Sequence, residues 1–164
     1  MPRVYFSLGS NVDPEKNLKL GVDELRQRYG KLHLSPVYRN KAVGFHGDDF
    51  LNLVVSCNAR DYIESIQAAI EDIHALAGRQ RREKKFSSRS LDIDLLTYGD
   101  VVTDVPPVTL PRSDILKYAF VLKPLADIAP NDVHPETGRS YAEHWADMRT
   151  MRIEKSLREV DIDL

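Results

Sequence analysis

Between Val4 and Tyr98 the chain alternates two kinds of hydrophobic repeat, and their order leaves few folds open. Val4 to Leu8 is an aromatic and aliphatic run that reads as a buried strand. Leu18, Val22, Leu25 and Tyr29 then recur at spacings of four, three and four, which is one face of a helix. Asp13-Pro14 supplies an N-cap and a first-turn proline, and Gly30 a stop. Residues 31–39 read as a second strand that Pro36 either confines to a sheet edge or marks with a bulge. Phe50 to Asn58 is a third strand. Asp61-Tyr62-Ile63-Glu64 has the form of a capping box, followed by Ile63, Ile66, Ile70, Ile73 and Ala77 at helical spacing and a stop at Gly78. A last strand is read over Arg89–Leu96, and Tyr98-Gly99-Asp100 turns into Val101-Val102 as a short hairpin.

The order β-α-β-β-α-β predicts an α+β, ferredoxin-like antiparallel sheet with two helices on one face and the other face free for loops and ligands. Beyond Pro106-Pro107 the pattern loosens. A short helix from Ser113 to Tyr118, a partly helical apolar segment Phe120–Leu125 and a polar loop 131–138 form a C-terminal extension, and the charged tail after Trp145 has no assignable element. No repeat or linker divides the 164 residues, which are read as one domain, 1–164.

The chemistry centres on the last strand. Leu91, Ile93 and Leu95 alternate with Asp92 and Asp94, so the two carboxylates share a face, with Cα atoms about 6.6 Å apart by strand rise. Unpartnered, such neighbours repel and one tends to keep its proton. A divalent cation keeps both ionised, and Mg²⁺ suits two carboxylates with its remaining positions left to water and phosphate. Arg79, Arg81, Arg82, Lys84, Lys85 and Arg89 form a dense basic run just upstream. Acids for a metal beside bases for phosphate point to phosphoryl transfer. The plainer readings are an acidic pair that keeps an edge strand soluble and a basic loop that is merely solvated.

Composition narrows the setting. A net charge of −2 gives no global attraction to nucleic acid or membrane, so the basic run is a local device. The single cysteine, Cys57, lies in an apolar strand, reads as core, and suits a reducing compartment. No signal peptide or membrane-length apolar run is present, and the expected location is cytoplasmic. Phosphate loops of the Gly-x-x-x-x-Gly-Lys-Ser/Thr and Gly-x-Gly-x-x-Gly kinds are absent, as are kinase signatures and zinc-ligand spacings.

Several stretches together carry a resemblance. They are Leu8-Gly9-Ser10-Asn11, Asp49-Phe50-Leu51-Asn52, Gly78-Arg79-Gln80-Arg81, Ser88 to Leu96, Tyr98-Gly99, Leu110-Pro111, and Phe120 to Leu125 followed by Ile128-Ala129-Pro130. In this order and near this spacing, over roughly residues 3 to 135, the chain resembles the 6-hydroxymethyl-7,8-dihydropterin pyrophosphokinase family of folate synthesis. The resemblance implies transfer of pyrophosphate from ATP to the hydroxymethyl group of a reduced pterin, leaving AMP, with two Mg²⁺ ions. It implies that Asp92 and Asp94 hold both metals and, with Arg79 and Arg89, form the catalytic set. Arg79, Arg81, Arg89, Arg112 and Tyr118 fall on the ATP side. Asn40, Val43, Phe50, Asn52 and Phe120 fall on the pterin side, the two phenylalanines sandwiching the ring and Asn52 bonding its edge. Loops 40–48 and 79–90 match loops that close over the site. The expected partners are ATP and the pterin, with neither nucleic acid nor membrane, and the expected state is a monomer.

The chain departs from the family pattern at four places. Arg112 stands where a histidine is usual, Tyr118 where an arginine is, His74 where a glutamate is common, and Phe86 where a tryptophan is often found. The alternatives are a divergent paralogue or another Mg²⁺-dependent phosphotransferase acting on a different substrate. A third is a non-enzymatic ferredoxin-like module that binds RNA through loop 79–90.

Overall fold

The computed structural model describes residues 1–42, 46–78, 90–106, 108–151 and 157–164. Its elements follow in the order β1 (Arg3–Ser10), α1 (Pro14–Tyr29), β2 (His33–Leu34), β3 (Val37–Asn40), β4 (Phe50–Asn58), α2 (Ile63–Leu76), β5 (Asp92–Tyr98), α3 (Asp114–Lys117), α4 (Ala119–Ile128), α5 (Tyr141–Met151) and β6 (Arg158–Val160). The strands form one sheet in the order β5-β1-β4-β3-β6, with β2 also on β4 and the named pairings antiparallel. This is the ferredoxin-like arrangement expected from the alternation of repeats. None of the described helices is long and apolar enough to cross a membrane.

Period-two alternation sorts the sheet into two faces. On one, Val4, Phe6 and Leu8 of β1, Leu51, Leu53 and Val55 of β4, and Leu91, Ile93 and Leu95 beside and on β5 meet Leu18, Val22 and Leu25 of α1 and Ile66, Ile70 and Ile73 of α2. Each such side chain, once buried, contributes about 1.5–3 kcal/mol. Gly21 lets α1 ride close to the sheet: a Cβ there would stand 3.1 Å from Leu8 and 3.2 Å from Leu91. Cys57 belongs to this core, and burial, with Asp61 nearby, pushes its thiol up to about 11.

The opposite face is only partly open, which corrects the expectation that it is left to loops and ligands. Tyr5, Val54 and Leu96 of that face pack against Val121, Leu122 and Leu125 of α4 and Tyr141 of α5. Polar ties add to this layer. The Tyr5 hydroxyl donates to Asp132, and the Tyr38 hydroxyl to Asp127, whose other oxygen pairs with Lys123 at 2.7 Å. Burial and Asp127 both raise the Tyr38 pKa, so it stays a donor. Pro124 lies inside α4, where it removes the N–H that would bond the carbonyl of Phe120.

Several local expectations change. Of the two readings of Pro36 the bulge is formed: one more residue lies between Leu34 and Tyr38 than between their partners Val55 and Asn52. Ser35 closes the gap, its N–H donating to the Val54 carbonyl and its Oγ accepting from the Val54 N–H. The edge beyond β3 is taken by β6, from the tail that had no assigned element. Asp13 sits at the head of α1 with φ 41° and caps nothing with its side chain; instead Asn17 Nδ2 donates to the Val12 carbonyl at 2.6 Å. The capping box is not formed either. Helix α2 starts one residue later than that motif requires, with Tyr62 as its uncapped first flank. The hairpin after Tyr98 pairs Thr103 with Leu110 rather than using Val101-Val102.

Candidate active site

Strand register assembles the site. On the α4 face, β4 presents Phe50, Asn52 and Val54, β1 presents Tyr5, Ser7 and Gly9, and β5 presents Asp92 and Asp94. Gly9 lies opposite both Asn52 and Asp92, and Ser7 opposite both Val54 and Asp94. Asn52, Gly9 and Asp92 thus form one row across three strands, its ends roughly 10 Å apart by two strand spacings. On the far side, Tyr38 faces Asn52 and Asn40 faces Phe50.

Gly9 is the residue that keeps this row open. A Cβ at this position would stand 2.5 Å from Asn52 Oδ1, so that oxygen lies directly over the glycine. Asn52 is buried, and its Nδ2 donates to Oδ1 of the equally buried Asn40, whose own Nδ2 donates to the Lys41 carbonyl at 3.1 Å. A buried amide fixed through its nitrogen, with its oxygen aimed over a glycine, is an acceptor facing the site.

The end of β1 is tied to both neighbours. Ser10 Oγ donates to the Ser90 carbonyl at 2.5 Å, and Asn11 Nδ2 donates to the Asp48 carbonyl at 3.2 Å. The outer side of β5 is held by His74 of α2, a buried residue whose Nε2 accepts the Ile93 N–H at 2.8 Å, between the two aspartates. That bond requires the proton on Nδ1, which lies 3.5 Å from Glu71.

Residues after β5 complete the corner. The Arg112 N–H donates to the Leu96 carbonyl at 2.9 Å, which docks the turn before α3 against β5. The Arg112 guanidinium then lies between two acids, Nη2 at 3.5 Å from Asp94 and Nε at 3.4 Å from Asp114. Burial opposes its charge, but Asp94, Asp114 and Asp92 outweigh that and raise its pKa. Tyr118 and Phe120 stack with centroids 4.9 Å apart and planes 18° from parallel, and Lys117 lies 5.4 Å from the Tyr118 centroid.

Residues 5–130 match the model of the family described as 7,8-dihydro-6-hydroxymethylpterin-pyrophosphokinase. The chain belongs to this family. It is 32% identical over 137 residues to the 2-amino-4-hydroxy-6-hydroxymethyldihydropteridine pyrophosphokinase of Aquifex aeolicus, covering 82% of this chain and 85% of that one. It is also 32% identical over 146 residues to the protein of the same name from Pseudomonas aeruginosa, covering 86% and 88%. Among solved structures, wild-type HPPK-DHPS of Plasmodium falciparum superposes with a TM-score of 0.77 at 11% identity over 98% of this chain. This chain spans 48% of that one, and the likeness is one of fold.

Of the residues singled out in this pyrophosphokinase-family chain, Phe50, Asn52, Asp92 and Asp94 lie on one sheet face, with Asn40 hydrogen-bonded to Asn52 and Arg112 ion-paired with Asp94. Phe120 and Tyr118 stand at the start of the helix that packs on the same face. Val43, Arg79, Arg81 and Arg89 lie outside the described residues, as do most of loop 79–90 and Phe86. Three features escaped sequence reasoning: Gly9 as the spacer under Asn52, His74 as the brace of β5, and the pairing of Arg112 with Asp94. Only the first had a visible signal, a glycine in phase with Tyr5 and Ser7 on a strand.

Proposed function

We propose that this chain transfers pyrophosphate from ATP to the hydroxymethyl group of 6-hydroxymethyl-7,8-dihydropterin in folate biosynthesis, acting as a cytoplasmic monomer. The observation that carries the reading is the row Asn52–Gly9–Asp92. It joins a fixed hydrogen-bond acceptor for a flat polar ring to a carboxylate pair suited to metal and phosphate, across a glycine that leaves room between them.

In the reaction the substrate hydroxyl oxygen bonds to the β-phosphorus, the bond from that phosphorus to the α,β-bridging oxygen breaks, AMP leaves with that oxygen, and the hydroxyl proton is released. Asn52 Oδ1 accepts from the pterin edge, which gives the selectivity that stacking lacks. Phe50 and Phe120 flank the ring, and base–aromatic stacking of this kind is worth about 1–3 kcal/mol per ring. Asn40 holds Asn52 in place, and the family resemblance assigns Val43 to the pterin as well. Arg79, Arg81 and Arg89 are assigned to the phosphates by the family resemblance, with Arg112 and Tyr118 on the nucleotide side.

The donor set fits Mg²⁺. Asp92 and Asp94 offer hard oxygen ligands on one half-buried face, and among the described residues no group of three or more His, Cys, Asp or Glu surrounds a single point. Two carboxylates with the other positions left to water and phosphate is the usual way this ion is held. Two bound Mg²⁺ ions would neutralise the triphosphate and polarise the group in transfer.

The RNA-binding alternative needs an open aromatic sheet face, and Tyr5 of that face is buried beneath α5. The test is AMP release from ATP with Mg²⁺, with and without the pterin. Strict dependence on both supports the assignment. AMP formation indifferent to the pterin, or activity on nucleic acid instead, would defeat it.

A further inference from the structure

The Arg112 corner holds a conflict. Asp94 is asked to bind a metal, yet a permanently charged guanidinium already stands 3.5 Å from it. The backbone of Arg112 is fixed, through its N–H, to the carbonyl two residues along β5 from Asp94. Its side chain is not fixed to the same degree: it remains 39% exposed and is shared with Asp114. Its Nε is buried yet satisfied by no hydrogen bond, since the approach to Asp114 at 3.4 Å lacks the geometry for one. A planar guanidinium forms its best contacts as two parallel bonds to one carboxylate or phosphate, and Arg112 gives each of these acids only a single nitrogen.

We propose that Arg112 is a resident counter-ion of the metal site. With no nucleotide bound, it neutralises Asp94 and competes with the cation; when the metal–triphosphate arrives, it leaves Asp94, keeps Asp114 as its anchor and turns to the phosphates. Metal binding is thereby coupled to nucleotide binding, and a bare divalent ion is a poor ligand. The proposal rests on Asp92 and Asp94 being the metal carboxylates.

The experiment is titration of the full-length chain with Mn²⁺ without nucleotide, followed by electron paramagnetic resonance of the free ion. A parallel calorimetric titration uses Mg²⁺ and a non-hydrolysable ATP analogue. Arg112→Ala is expected to tighten Mn²⁺ about 5-fold, the scale of one lost half-exposed ion pair, and to weaken the analogue about 10-fold. Asp114→Asn releases the guanidinium wholly to Asp94 and is expected to act in the opposite direction, weakening Mn²⁺ about 3-fold. Arg112→Lys keeps the charge and should leave Mn²⁺ affinity near that of the parent. A merely structural role for Arg112 would not move metal affinity in opposite directions in the two variants.

Mn²⁺ affinity unchanged or weakened in folded Arg112→Ala overturns the proposal. If that variant does not fold, Asp114→Asn decides alone: weakened Mn²⁺ supports the proposal, and unchanged or tightened Mn²⁺ overturns it. Asp92→Asn separates the two levels. If it abolishes Mn²⁺ binding while Arg112→Ala does nothing, only the counter-ion idea fails. If it leaves Mn²⁺ binding untouched, the carboxylate pair is not the metal site and both readings fail.

Discussion

The site has two halves built in different ways. Asn52, Gly9, Asp92 and Asp94 are placed by strand register, so each side chain's face follows from its parity along the chain. Arg112, Tyr118 and Phe120 are placed by tertiary packing: a turn docked on Leu96, a short helix, and α4 seated on Tyr5, Val54 and Leu96. The departures from the family pattern among the described residues are not on the strand-borne row. Arg112 and Tyr118 fall in the packed half, and His74 braces β5 from a helix. In the row, each side chain's direction is fixed by register and only an insertion or deletion would turn it, whereas a guanidinium or an aromatic ring on a docked turn is aimed by the packing around it.

The largest effect that tests this contrast is loss of the carboxylates. Asp92→Ala or Asp94→Ala should lower AMP formation by about 10³-fold or more, the scale on which charge-stabilising groups act in phosphoryl transfer. Circular dichroism and the melting midpoint should stay near the parent, because both side chains point away from the α1–α2 core. Retention of most activity in either variant would break the metal-side reading. Gly9→Ala comes next. The added methyl meets Asn52 Oδ1, so the acceptor must swing away or the strands must part, at about 1–3 kcal/mol. The pterin KM should rise about 10- to 100-fold, matching Asn52→Ala, which leaves a buried donor without its acceptor at a cost of about 1–3 kcal/mol. A Gly9→Ala enzyme with unchanged KM would show that the row does not hold the pterin.

The same contrast explains what the sequence could reveal. The face shared by Asp92 and Asp94, the branched residues turned the other way and the two helical stripes follow from local periodicity. Asn52 is polar within an apolar strand, which calls for a partner, but that the partner includes Asn40 required the β3–β4 register. The pairing of Arg112 with Asp94 joins residues from different elements, and nothing in either neighbourhood announces it. Strand β6 has three residues in a charged tail and exists because β3 offers it an edge. The covering of the second sheet face was missed for a related reason. Pro124 makes α4 look interrupted in sequence, while its apolar contacts with Val54 and Leu96 sustain the helix through the lost hydrogen bond.

A smaller effect sharpens the packed half. Tyr118 lies against Phe120 as a stacked pair, an arrangement worth about 0.5–1.5 kcal/mol beyond area burial. Tyr118→Ala should free the Phe120 ring and raise the pterin KM about 2- to 10-fold with kcat nearly unchanged. A loss confined to kcat would mean that Tyr118 acts on the nucleotide instead of steadying the pterin's ring.

The smallest effect asks whether the two halves can be separated by pH. His134, buried in the loop before α5, accepts the Glu136 and Thr137 N–H groups on Nδ1 at 3.2 and 3.3 Å, and its ring meets Tyr141 edge-on at 6.4 Å. Burial, and then the nearby His144, lower its pKa below the ordinary 6.5, against a weaker opposing pull from Glu136. The unfolded chain therefore takes up this proton first as the pH falls. Its stabilising contribution is complete above about pH 6.5 and declines below that, because the unfolded state binds more protons throughout the interval down to the folded value. Protonating Nδ1 also ends its role as acceptor for the two backbone donors. Acidification from pH 7 to 5 should thus loosen α5 and the loop before it, while the amides of β1 and β4 keep their protection against hydrogen exchange. His134→Gln, which keeps an acceptor but cannot titrate, should flatten the fall of the melting midpoint over that range. Equal slopes in parent and variant, or exchange that rises equally in the strands and in α5, would show that the packed half is no more separable than the register-built row beneath it.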